Sequence, residues 1–293
     1  MKKFLGNKVA IALFTLPALI VYSIMVMYPL MQTFFRSMYQ WDGLTAGTFI
    51  WFDNYKELLE DSVFHTSVYN GLIFAAIITI TQICIGSILA FAVAHGKYKG
   101  RKILRVSYFI PVVLSITVVC QLWLSIYNSE YGLLNKVFGI LGLDYQQDWL
   151  SNGKSAIIAI AFVNAWQYMG YHFALLLAGV RSVPEQYMEA ARIDGANKFQ
   201  AITKVMIPMM SETYKFCLIF AVTGGLNAFA NMYIMTSGGP GTSTYTLTYL
   251  MYRSAFRVGE FGYGSAAAAV LVIECLLATL IINCLVARER ISY

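Results

Sequence analysis

The sequence predicts an all-α fold, a polytopic membrane protein with six transmembrane helices forming one transmembrane domain over residues 1–293. Three observations predict it. Of the 293 residues, 58% are hydrophobic and only 12% charged, a balance that excludes a disordered chain and an ordinary water-soluble domain. Six apolar runs each approach the roughly 20 residues needed to cross a bilayer. The lysines and arginines also collect in alternate connections.

The first run covers 9–34. Lys2, Lys3 and Lys8 precede it, as in a signal peptide. It is long for one and no small-x-small cleavage site follows, so it reads as a retained span. Pro17 and Pro29 lie inside it, and neighbouring helices can cover the carbonyls they free. A polar connector over 40–70 carries Asp42, Asp53, Glu57, Glu60 and Asp61. The second span, 69–94, leads into a short basic loop with Lys97, Lys99, Arg101, Lys102 and Arg105. The third, 106–127, is followed by a polar loop with Glu130, Asp144 and Asp148. The fourth, 156–180, enters a polar stretch at 181–211. The fifth covers 214–235, and a Gly- and Thr-rich loop separates it from the sixth, 265–287, which ends at Arg288, Glu289 and Arg290.

Basic residues set the orientation. One side collects Lys2, Lys3, Lys8, the basic loop, Arg181, Arg192, Lys198, Lys204, Arg288 and Arg290. The other has Arg36, Lys56, Lys136, Lys154, Arg253 and Arg257, diluted by most of the acidic residues. The positive-inside rule then puts both termini and 181–211 in the cytoplasm. The net charge of +6 reflects this orientation, and no nucleic-acid motif accompanies it.

Residues 181–211 have helical character. Ser182 and Glu185 have the spacing of a capping box, with Pro184 in the first turn. The helix so started runs through Glu189, Ala190 and Ala191, and Gly195 can end it in a left-handed conformation. Asn197 and Gln200 can cap a second helix, which Pro208 limits. Asp194, Gly195 and Ala196 form the turn, and the small residues around it leave room for another surface. Arg192, at i+3 from Glu189, is placed for a local ion pair. These residues alone suit a plain helical hairpin and a docking element equally well.

Inside the spans, polar residues recur at helical spacing. Asn164, Gln167, Tyr168 and Tyr171 share one face of the fourth, which reads as the lining of a pathway for a hydroxyl-rich, neutral ligand such as a sugar. Thr117, Gln121 and Ser125 in the third, and Thr223, Asn227 and Asn231 in the fifth, suit either a pathway or hydrogen bonds between helices. Gly224 and Gly225 suit close helix approach or local unwinding. Glu274 stands alone in the sixth span: a proton-coupling acid, a ligand contact, or a neutral carboxyl bonded to a neighbouring helix.

Cys84, Cys120, Cys217, Cys275 and Cys284 lie in apolar stretches and read as small packing residues. His65, His95 and His172 are far apart, which predicts no metal site. There is no P-loop and no clustered catalytic set, so the chain reads as a transport subunit without a cofactor, not an enzyme.

Glu189-Ala190-Ala191, Asp194-Gly195-Ala196 and Pro208 together resemble the EAA loop of ABC importer permeases. Tyr28-Pro29, Trp41-Asp42-Gly43, Asn54-Tyr55 with Leu58 and Asp61, Gly238-Gly239-Pro240, Arg253, Ala255-Phe256, Gly262-Tyr263 and Ala266 extend the likeness nearly end to end. The pattern resembles the carbohydrate branch of type I importers, such as the maltose, lactose and glycerol-phosphate permeases. Unlike the larger maltose subunit, this chain has neither extra spans nor a large external domain. The resemblance implies a bacterial cell-membrane complex with a second homologous permease, two ATPase subunits binding ATP and Mg, and an extracytoplasmic sugar-binding protein. It implies that 181–211 couples to the ATPase. The alternative is a proton-coupled carrier using Glu274.

Overall fold

Helix dominates because long apolar runs in lipid must satisfy their own backbone groups. The computed structural model describes residues 8–95, 100–143 and 146–286. Lys2, Lys3, Lys97, Lys99, Asp144, Arg288, Glu289 and Arg290 lie outside the described residues. The chain divides into two compact units: residues up to Asp61 with Leu250–Val270, and Ser62–Tyr249 with the residues from Leu271 onward.

In the first unit, α1 (Lys8–Arg36) is one continuous helix, and none of its apolar stretch is buried. It contains a π turn at Ser23–Met27, where the Tyr28 N–H reaches the Ser23 carbonyl. Pro29 comes next. A proline has no N–H to offer and its ring crowds the turn behind it, so the wider π turn lets the helix continue. Strands β1 (Tyr39–Gln40) and β2 (Thr48–Phe49) then form a short antiparallel ladder, with Tyr39 opposite Phe49. They lead to α2 (Asp53–Glu60).

The second unit is built on α3 (Ser62–His95) and α7 (Gly153–Ser182). Lipid supplies little hydrophobic drive between helices, so small residues and fitted side chains decide their packing. A Cβ on Gly86 of α3 would stand 3.2 Å from the Phe173 nitrogen of α7. Helix α10 (Ser211–Leu226) approaches α3 at Gly225, where a Cβ would lie 2.7 Å from Ala75 Cα. Gly225 therefore serves close approach, while Gly224 faces open space. Phe74, Ile78, Val119, Ile160 and Met232 form one core. Ala90, Phe173, Leu176, Met188, Met206 and Met210 belong to another.

The predicted third span is two helices, α4 (Arg101–Val113) and α5 (Ile116–Ile126), bent by 101°. Leu114 and Ser115 between them are extended, with ψ of 144° and 137°. Pro111, with no N–H to give, lies close before the break. A short α6 (Leu133–Ile140) precedes α7. Helices α8 (Glu185–Ile193) and α9 (Lys198–Met209) follow it. Helix α9 ends at Met209, one residue after Pro208; a π turn at Ile202–Met206 precedes the proline, and the Ile207 N–H reaches the Ile202 carbonyl. The path bends by 72° between α9 and α10. The predicted fifth span is also interrupted, with α11 (Ala230–Met235) following α10 after Asn227–Phe229. Helix α12 (Leu247–Arg253) precedes a third π turn, ended by Gly259 at φ 89°. Finally, α13 (Phe261–Leu285) closes the described chain.

Among the described residues, α1, α3 and α13 are long and apolar enough to cross a membrane; counting α4–α5 and α9–α10 as one span each gives up to five. Helix α7 has 30 residues, a length of about 45 Å. Asn164, Gln167, Tyr168 and His172 make it too polar to meet the same standard, and three of these four are buried.

Candidate functional site

The polar residues of the second unit converge on a cavity of about 450 Å³, whose lining includes Gln82, Asn164, Tyr168, His172, Asn227 and Asn231. Asn164 on α7 donates to the Asn231 side chain on α11 at 3.1 Å, and Gln82 on α3 donates to Asn164 at 3.5 Å. Three helices are thereby tied through two amide bonds. The amides face aromatic neighbours, Tyr168, Phe220 and Phe229, which also line the space. Amides offer both donors and acceptors, and ring faces suit the apolar faces of a sugar ring.

The predicted pathway face is split. Asn164 and Tyr168 line the cavity, but Gln167 and Tyr171 do not. Gln167, 1% exposed, donates to the Leu114 carbonyl at 3.1 Å. Its role is to satisfy a group that the α4–α5 break sets free. Tyr171 is exposed, with its ring near Phe109 and Phe220. In the fifth span Asn227 and Asn231 both line the cavity, but Asn227 bonds to the Thr223 carbonyl and to Cys275 Sγ. Thr223 bonds back to the Ile219 carbonyl and stays out of the lining. Thr117, Gln121 and Ser125 stand exposed on α5, opposite buried Val119 and Cys120.

Sequence reasoning missed His172 and Gln82. His172 is 1% exposed, its two ring nitrogens have no hydrogen-bond partner, and it stacks on Phe220. A signal was present, since Asn164, Tyr168 and His172 repeat every four residues. Gln82 is an amide within an apolar run, which by itself marks an inward-facing position. Glu274 Oε1 is buried without a hydrogen-bond partner among the described residues, so the bond to a neighbouring helix, one of its three readings, is not made through that oxygen. Cys120 and Cys217 are buried packing residues as expected, whereas Cys84 and Cys284 are exposed.

The 181–211 stretch forms a helix–turn–helix. Ser182 does not cap α8: it still belongs to α7, and its hydroxyl bonds back to the Gly179 carbonyl. Pro184 stands at the N-cap instead, with no side-chain bond. The other end matches the expectation. Gly195 has φ 82°, the Ala196 N–H reaches the Ala191 carbonyl at 2.9 Å, and the Gly195 N–H reaches Arg192 at 3.0 Å. That is a full Schellman motif. Asn197 and Gln200 form a reciprocal capping box, both bonds 2.9 Å. No ion pair joins Glu189 and Arg192 among the described residues, and both are exposed.

Met188, Ala191, Ala201 and Met206 point into the core with Ala90, Val93 and Val180. Burying a Met side chain in this way contributes about 1.5–3 kcal/mol. The opposite side opens a cleft of about 560 Å³ lined by Tyr187, Ala190, Asp194, Gly195, Gln200 and Lys204 among others.

The resemblance residues of the first unit also meet. Asn54, buried, donates to the Ser37 and Tyr39 carbonyls at 2.8 and 3.0 Å. Tyr263 donates to Asp61 at 2.7 Å, and the Gly262 N–H to the Trp41 carbonyl at 3.1 Å. The backbone of Gly262 lies so close to the Tyr39 carbonyl that no Cβ fits. The N–H groups of Thr45 and Leu44 hold the Asp42 carboxylate below its usual range.

A family model described as "Binding-protein-dependent transport system inner membrane component" matches residues 82–291. The probable ABC transporter permease YurN of Bacillus subtilis (strain 168) is 37% identical over 278 residues, covering 94% of each chain. The multiple sugar-binding transport system permease MsmF of Streptococcus mutans is 33% identical over 261 residues, covering 89% of each. A solved bacterial ABC transporter involved in import of the acidic polysaccharide alginate has a chain of the same fold, with TM-score 0.81, 20% identity and 99% of each chain covered.

Replacing Gln167 with Leu removes the donor to the part-buried Leu114 carbonyl, a loss of about 1 kcal/mol. The expected outcome is a lower thermal unfolding temperature for the purified protein, with Tyr171→Ala close to wild type. Equal stability of Gln167→Leu and wild type would show that the Leu114 carbonyl finds another partner.

Proposed function

We infer the working of this chain from the family to which it belongs, the binding-protein-dependent transport system inner membrane components. It is the permease subunit of an ABC importer for a sugar or oligosaccharide, a transport subunit and not an enzyme. The finer reading has six spans, with α7, the α4–α5 pair and α10 with α11 each crossing once, and both termini in the cytoplasm. The helix–turn–helix at 181–211 is the EAA coupling loop. It seats in an ATPase subunit, which binds ATP and Mg. A second homologous permease completes the pathway, and an extracytoplasmic binding protein delivers the sugar.

The observation that carries this reading is the two-sidedness of 181–211. One side is held in the core by Met188, Ala191 and Met206. The other presents Glu189, Ala190, Asp194 and Gly195 outward. An element anchored on one side and open on the other can pass a rigid push from a partner into α7 and α10. In the pathway, Asn164, Tyr168, Asn227 and Asn231 contact the sugar, and ATP-driven motion of the loop alternates access to it. Nothing in the comparisons supports a proton-coupled carrier.

A Cβ at Gly195 costs about 1–2 kcal/mol in the left-handed conformation, and Gly195→Asp adds a charge on the docking side. The variant complex is expected to fold in the membrane but to lose ATPase co-purification and stimulation of hydrolysis by the binding protein. Full stoichiometry with normal stimulation would make this loop a mere connector.

Asn164→Ala and Asn231→Ala remove buried amide bonds. Each is expected to lower sugar uptake about three- to tenfold while the ATPase still co-purifies. Unchanged uptake in both would move the pathway elsewhere.

For topology, single cysteines placed at Asp53 and at half-buried Thr242, in place of the expected but fully buried Thr244, in a chain cleared of its own exposed cysteines should label from outside sealed cells. A cysteine at Lys198 should label only after the cells are opened. Labelling of position 198 from outside would reverse the orientation.

A further inference from the structure

We infer that the groove between α4 and α7 is a binding site for an anionic phospholipid, with an acyl chain along its walls and the phosphate at Arg105 and Arg181. The inference rests only on the chain spanning a membrane and does not need the sugar pathway. The groove holds about 1080 Å³. Its α4 wall repeats every turn, through Arg105, Phe109 and Val113, and its α7 wall does the same through Phe173, Leu177 and Arg181. The walls run from Arg105 to Leu114 and from Phe173 to Ser182, about 13.5 Å each. One leaflet of a bilayer has a hydrocarbon depth of about 15 Å.

Helices α4 and α7 run in opposite directions, since Leu114 meets Gln167 while the Gly170 backbone lies against the Tyr108 carbonyl. Arg105 lies in the first turns of α4 and Arg181 in the last turn of α7, so both side chains belong to the same end of the groove. Neither forms an ion pair among the described residues. Arg105 Nε is shielded from solvent and has no hydrogen-bond partner among the described residues. A shielded donor on a cation calls for an acceptor from outside the chain. Phosphate oxygens fit the guanidinium fork, and basic pockets between membrane helices take anionic headgroups. A purely apolar helix in the same groove would cover the walls but leave both arginines without acceptors. A free phosphate ion would leave the walls uncovered.

The test uses the assembled permease–ATPase complex in nanodiscs of phosphatidylcholine with a minor share of phosphatidylglycerol, with co-purifying lipid counted by native mass spectrometry. Two basic side chains at an anionic headgroup give an expected preference for phosphatidylglycerol on the order of thirtyfold. Arg105→Gln with Arg181→Gln should abolish the preference. Ala178→Trp, at an exposed position of the groove wall, fills the groove and keeps both charges, and should displace the lipid as well. Added inorganic phosphate should not displace it. Absence of a preference in the wild type, its persistence in the double variant, or displacement by inorganic phosphate would overturn the proposal. So would cross-linking of a cysteine at Val113, an exposed residue of the groove wall, to the second permease in the assembled complex. Arg105→Lys with Arg181→Lys retains charge and should retain most of the preference, which separates loss of the site from loss of the fold.

Discussion

A backbone carbonyl in hydrocarbon must find a donor within the protein, and at two of this chain's helix interruptions a side chain from another segment supplies one. The break at Leu114 is met by Gln167 of α7. The break between α10 and α11 frees the Ala228 carbonyl, and Thr248 donates to it at 2.7 Å with Thr246 at 3.4 Å. These repairs fix where α5 and α11 lie relative to α7. With α11 so placed, Asn231 reaches Asn164, and the polar cavity lies next to the interruption. The breaks and the cavity are thus one arrangement: interrupted helices give the room, and amides and hydroxyls make the interruption tolerable.

The helix–turn–helix after α7 solves a different problem. It must be rigid enough to transmit force and open enough to be grasped. Its caps satisfy the backbone locally, through the Schellman motif at Gly195 and the box between Asn197 and Gln200. That leaves its side chains free to divide between a buried methionine-rich face and an outward face of small and charged residues. The first unit works by the opposite rule, with one buried amide, Asn54, holding two carbonyls of the chain before it.

Much of this was legible in the residues. Helical content followed from long apolar runs, and the turn at Gly195 from a glycine flanked by small residues. The errors share a cause: periodicity assumes an unbroken helix. Residues 106–127 are apolar enough to pass for one span, yet the extended pair Leu114–Ser115 turns it sharply. The face of Asn164, Gln167, Tyr168 and Tyr171 was drawn at average helical spacing. The cavity instead follows strict steps of four, through Asn164, Tyr168 and His172. Gln167 left that face because a carbonyl 53 positions away needed it, and no local pattern carries that information. Ser182 failed as a cap because α7 had not yet ended there. Pro208 stands one residue inside the end of α9, and the π turn ahead of it left no mark in the pattern of apolar residues.

The two π turns before Pro29 and Pro208 have the same form: five residues, one intervening residue, then proline. Each amounts to one residue more than a regular helix needs. In α9 that surplus sets the angular register between Lys198–Ala201, which belongs to the helix–turn–helix, and the stem entering α10. Deleting a single residue from Ile202–Met206 would restore ordinary winding and swing the outer segment by about 100° around its axis. Ala201 would leave the core and a neighbouring residue would take its place, so chain length at this point is under as tight a constraint as residue identity.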